Sequence, residues 1–169
     1  TLINKKNWRD LETPDFTVGV PAAIDGILSA TQELTGVAPL LQISAPYSLA
    51  ADIYGQEPLL ADVVNDPDSV NAMLDHLGDA VLGPWMDHFF EKFPKGWVEL
   101  SDASGSPFFI GPDNCRNMSI RSIRHTLRNK SYASRVFDNN FRGDFVAEVK
   151  KKARSSRRGG AVKGENALP

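Results

Sequence analysis

The sequence predicts an α/β fold in which short parallel strands are joined by helices. Three observations carry this expectation. Apolar runs of strand length stand at 38–44, 97–101 and 133–137. Between them the apolar residues recur every three or four positions, the helical period. Each run ends on small hydroxyl or carboxylate residues, and strand ends are where α/β folds present chemistry, because the interior is packed.

In order, residues 1–20 read as an irregular lead-in, with Trp8, Leu11, Phe16 and Val18 free to dock. Pro21 opens a helix at its favoured first position, Ile24, Ile27, Leu28 and Leu34 mark its apolar face, and Gly36 stops it. Ala38–Ser44 is the first strand, with Pro39 near its start, where a strand tolerates it. The chain turns at Ala45-Pro46-Tyr47-Ser48, runs as a helix to Gly55, and makes another short helix over 58–64. Asp66 and Pro67 then cap and start the longest helix. Its stripe is Val70, Met73, Leu74, Leu77, Val81, Trp85, Phe89 and Phe93, with a kink expected near Ala80, whose carbonyl loses its donor to Pro84. Trp97–Ser101 is the second strand and delivers Asp102. After a loop of small residues, a helix from about Asp113 buries Met118, Ile120, Ile123 and Leu127. Ala133–Phe137 is the third strand, ending on Asp138-Asn139-Asn140. An amphipathic piece, Phe145–Val149, leads into the tail.

The 169 residues suggest one domain or part of a larger one. No apolar stretch approaches the roughly 18 residues a membrane span needs. Thr1–Lys6 lacks the apolar core of a signal peptide, and the lone Cys115 fits a reducing compartment, so a cytoplasmic location is expected. The net charge of −2 conceals an asymmetry: residues 150–169 carry +6, leaving −8 on the other 149. That tail lacks aromatics for base stacking and follows an acidic body, which argues against nucleic acid. It suits a solvated terminus or an arm on an acidic partner.

Asp102 is read either as a catalytic carboxylate at a strand end or as a cap for the following helix. Ser48 and Tyr47 stand at a helix N-terminus whose free N–H groups could hold an anion, with Ser48 as a simple N-cap the alternative. Asp52, one turn later, shares that face. His76 and His88 are twelve residues apart on one helix, roughly 18 Å, and cannot share an ion. Cys115 and His125 are likewise too distant, so no metal site is expected, and Cys115 reads as a buried small hydrophobe. Arg121, Arg124 and Arg128 share a helix face, suited to solvent or to the acidic stretch 51–113.

Four segments carry a family resemblance. Ala45-Pro46-Tyr47-Ser48-Leu49-Ala50-Ala51-Asp52-Ile53-Tyr54-Gly55 resembles the glycine-proline-aromatic-threonine-leucine segment of the uroporphyrinogen decarboxylase superfamily, which includes the corrinoid and thiol methyltransferases. Gln56–Leu60 is similar to its acidic-leucine helix, Asn65–Val70 to the start of its long helix, and Leu100–Gly105 to its second strand end. The likeness covers about residues 39–113. It implies a TIM barrel with its active site at the strand ends, here collecting Tyr47, Ser48, Asp52, Asp102, Ser104, Asp138 and Asn140. Three strands cannot close eight-stranded walls, so the expected architecture is an incomplete barrel, split or fragmentary: lead-in 1–20, partial barrel 21–149, basic tail 150–169. A second chain or partner would complete it.

The resemblance implies an enzyme or enzyme subunit acting on a small-molecule substrate, with Asp102 catalytic and Tyr47, Ser48, Asp52, Ser104, Asp138 and Asn140 binding substrate. A corrinoid or tetrapyrrole is the cofactor class it implies. Family decarboxylases carry Tyr in the register of Asp52 and Ser in that of Ala103, and their N-terminal arginine pair has no match. Methyl-transfer-type chemistry is therefore expected ahead of porphyrinogen decarboxylation. The alternative is a non-catalytic subunit that completes a partner's barrel.

Overall fold

A computed structural model describes residues 3–4 and 7–139. The expected amphipathic piece at 145–149, Asn140 and the basic tail lie outside the described residues. The described chain is mostly helical around a three-stranded parallel sheet.

The strands are β1 (Leu40–Ser44), β2 (Trp97–Ser101) and β3 (Val136–Asp138), in the order β1-β2-β3. Leu41 pairs with Val98 and Ile43 with Leu100, while Val136 pairs with Val98. A strand's side chains alternate between faces, so these residues share one face, and that face is core. The third strand starts later than expected, because Ala133–Arg135 forms a 3₁₀ turn.

Helix α1 (Gly19–Thr35) leads into β1 and ends at Gly36 with φ 68°. Its expected apolar face is only partly buried. Ile24 and Leu28 pack on the core, but Ile27 and Leu34 are exposed, and the buried residue is Asp25. Polar pairing explains the rotation: Asp25 accepts hydrogen bonds from His88 Nε2 at 2.7 Å and Lys92 Nζ at 3.3 Å. Phe16 stacks on Trp85 beside them. The lead-in therefore docks: Trp8 and Phe16 are buried, and Ile3 N–H bonds Ile53 C=O at 3.0 Å, while Val18 stays exposed.

Helices α2 (Pro46–Tyr54), α3 (Gln56–Asn65), α4 (Pro67–Leu77) and α5 (Gly83–Lys92) connect β1 to β2. Asp66 caps α4 as expected, accepting from Ser69 N–H at 3.2 Å. Between α4 and α5 lies a π-type turn, Gly78–Leu82, in which Gly83 N–H reaches back to Gly78 C=O. The expected kink takes this form: a widened turn accommodates Pro84, which lacks the N–H for a regular bond. The extra residue rotates the downstream face, so Leu82 and Met86 are buried where Val81 and Trp85 were expected.

The return from β2 to β3 begins with α6 (Pro107–Asn114), broken at Gly111, whose φ is 79°. A second π-type turn, Cys115–Ile120, leads into α7 (Arg121–Thr126). Helix α7 lies close against the first π-type turn, for a Cβ on Gly78 would come 2.2 Å from Thr126 Oγ1. Leu82, Met86, Phe89, Phe90 and Phe93 of the first crossover and Ile123 of the second cluster with Val98 and Leu100. Both crossovers thus cover the same sheet face. The opposite face carries Leu40, Gln42 and Ser44, then Trp97, Glu99 and Ser101, then Phe137. On it Leu40, Trp97 and Phe137 are exposed. No helix among the described residues is long and apolar enough to cross a membrane.

Candidate functional site

Helix α2 starts without a side-chain cap of its own, because Ala45 precedes it and Pro46 has no N–H. Asp102, 54 residues away, supplies what is missing. Its Oδ1 accepts from the Ser48 backbone N–H at 3.1 Å and from Ser48 Oγ at 2.8 Å. Its Oδ2 accepts from Ser119 Oγ, and the Gly105 backbone N–H also donates to the carboxylate. Gly105 is obligatory here: a Cβ would stand 2.3 Å from Oδ2. The anion at this helix N-terminus is therefore the chain's own carboxylate. Asp102 does cap a helix, but α2, far earlier in the chain; α6 receives no side-chain cap from it.

Around this centre three elements meet at the strand ends. Ser104 N–H donates to Ser48 Oγ at 3.2 Å, and Ala45 N–H to Ser101 C=O at 2.9 Å. Asn139 joins from the end of β3, accepting from Asp102 N–H at 3.0 Å and donating to Ser101 Oγ at 3.1 Å. Asp102 itself is 0 % exposed. Burial pushes its carboxyl above the usual range, against the pull of the hydroxyl and N–H donors.

Tyr47 is also fully buried, and its hydroxyl has no hydrogen-bond partner among the described residues. Burial first, then the Asp102 charge, push it up to about 12. Cys115 is buried in the core as expected, and burial with the charges of Asp102 and Asp138 pushes its thiol up to about 11. It is thus held as a neutral thiol, unsuited to nucleophilic attack.

The remaining sequence candidates divide between the site and its surroundings. Ser104 sits half-buried over the site, donating through Oγ to Gln56 Oε1 at 3.4 Å. Asp52 is solvent-exposed, although Ser48, one turn before it, is buried. Asp138 ends β3, paired in register with Leu100. Asn140 lies outside the described residues. Ser119, Gly105 and Asn139 were missed. Ser119 lies in a π-type turn and Gly105 in a loop, neither of which sequence periodicity encodes, whereas Asn139 was within the recognised strand end.

His76 Nε2 pairs with Leu11 C=O at 3.0 Å and His125 Nε2 with Asp79 at 3.0 Å, so the histidines serve separate contacts. Among the described residues no group of three or more metal-ligating side chains converges. Arg121 forks onto Asp75 at 2.8 and 3.0 Å and also holds Asn71, meeting the acidic stretch, while Arg124 and Arg128 are exposed. No family model, curated protein or solved structure matches the chain.

Proposed function

We propose that the chain forms one wall of a (β/α) barrel of the uroporphyrinogen decarboxylase type, working as an enzyme or enzyme subunit with methyl-transfer-type chemistry on a small molecule. One observation carries the architecture: both crossovers pack on one face of a sheet ordered β1-β2-β3, and the other face leaves Leu40, Trp97 and Phe137 exposed. Doubly wound sheets carry helices on both faces, whereas barrel walls carry them only outside. The four sequence segments that resemble the superfamily support the chemical part, and the polar ends of β1, β2 and β3 supply its mouth.

In this reading Asp102 is a positioning residue. It holds Ser48 and the Ser104–Gly105 turn, while Ser104 and Asp52 keep solvent-facing surface for a substrate. The first-turn N–H group that would grip a carboxylate arm of a corrinoid or tetrapyrrole is already bonded to Asp102. The described residues thus do not fit that cofactor's anionic arms. The closure of Asp102 from solvent favours a second reading, a non-catalytic wall completing a partner's barrel.

Purifying the chain with its natural partner, then assaying methyl transfer to a small thiol and carboxylate loss from a porphyrinogen in parallel, separates these readings. For an enzyme, Asp102→Asn should cut turnover roughly 10²-fold or more and change its pH profile. Unaltered kinetics in that variant, or no turnover in either assay from the intact assembly, sinks the catalytic reading.

A further inference from the structure

We propose that the bare sheet face binds a small organic cation, an amine, held by Glu99 between the rings of Trp97 and Phe137. The register sets the geometry. Gln42, Glu99 and Phe137 form one row across the three strands. Trp97 stands two residues before Glu99 on the same face, with Leu40 beside it. Adjacent strands lie about 4.8 Å apart and same-face residues about 6.6 Å along a strand, so one small molecule can touch all of them.

The chemistry selects the ligand. Glu99 is 9 % exposed, and no described hydrogen bond or ion pair reaches its carboxylate. Its carboxylate oxygens are not among the buried polar atoms that lack a partner, so they keep contact with solvent and a cation can reach them. Trp97 and Phe137 remain 45 % and 41 % exposed on either side, and aromatic faces attract cations through the ring quadrupole. Leu40, 49 % exposed, adds apolar surface for a hydrocarbon body. This inference concerns the chain by itself and does not rest on the barrel reading; a barrel closed over this face would fill the site with packed side chains.

The test titrates the full chain with benzylammonium, and with benzyl alcohol as its neutral counterpart, following the Trp97 indole and Phe137 ring resonances by NMR. Saturable shifts are expected for benzylammonium only, weakened by salt. Glu99→Gln, nearly isosteric, should weaken that binding about tenfold or more, the loss of one charge-assisted contact. Trp97→Leu should weaken it independently, which keeps the test decisive if Glu99→Gln does not fold. Equal binding of benzyl alcohol, unchanged affinity in folded Glu99→Gln, or shifts confined to Trp8 and Trp85 would overturn the site. So would the absence of any saturable shift.

Discussion

Donors replace the water that Asp102 gives up, among them the N–H and hydroxyl of Ser48, the hydroxyl of Ser119 and the N–H of Gly105. An Asn in its place turns one acceptor into a donor facing other donors, a mismatch that costs about 1–3 kcal/mol. The effect carries a pH signature. Because burial outweighs the donors, the folded carboxyl titrates above its ordinary value of 3.8, and the folded state holds the proton more tightly than the unfolded one. The stability this supplies is complete below about pH 4 and declines as pH rises through the folded value. In urea unfolding, the advantage of the native chain over Asp102→Asn should therefore narrow from about pH 4 upward; a widening gap contradicts the assignment. That Asp102 mattered was legible from a strand ending on a carboxylate followed by small residues. Which helix it serves was not, since partners 54 residues apart leave no local pattern.

At the scale of elements, the passage from α4 to α5 is most informative. Strict helical spacing through Leu77 points to Val81 and Trp85, yet the π-type turn at Gly78–Leu82 hands the core to Leu82 and Met86. Leu82→Ala should cost about 2–5 kcal/mol by chemical denaturation, as for a fully packed leucine. Val81→Ala, at a half-buried position, should cost clearly less. The reverse order would restore the regular helix. Pro84 made a disturbance near Ala80 predictable, but its form depends on the fit of Gly78 against Thr126, which only the folded chain reveals. Similarly, α1 has a helical period whose phase is set by Asp25 and its partners His88 and Lys92, groups that an apolar pattern ignores.

For the molecule as a whole, parallel sheets are ordinarily covered on both faces, and one face of this sheet leaves Leu40, Trp97 and Phe137 exposed. Exposed Ile27, Leu34 and Val37 add apolar surface around α1. If the barrel reading holds, the chain should sediment as an assembly larger than a monomer, and charged substitutions on the bare face, such as Phe137→Lys, should shift it toward the monomer. A well-behaved monomer across micromolar concentrations argues for an open sheet instead. The alternation of strands and helices announced the parallel order directly. The exposed apolar residues of one face were not announced, because the positions of Trp97–Ser101 do not sort by polarity: Trp97 is exposed while Glu99, on the same face, is buried.

The bond between Asp102 and the first turn of α2 also imposes a timetable on synthesis. Ser48 leaves the ribosome 54 residues before its acceptor does, a delay of roughly 3–10 s at about 5–20 residues per second. During that interval the helix has a bare start, and Tyr47 waits for a neighbour. The first βα unit is finished only when the second strand has been made, so a chain stalled before residue 102 keeps its opening segment accessible to proteases and chaperones.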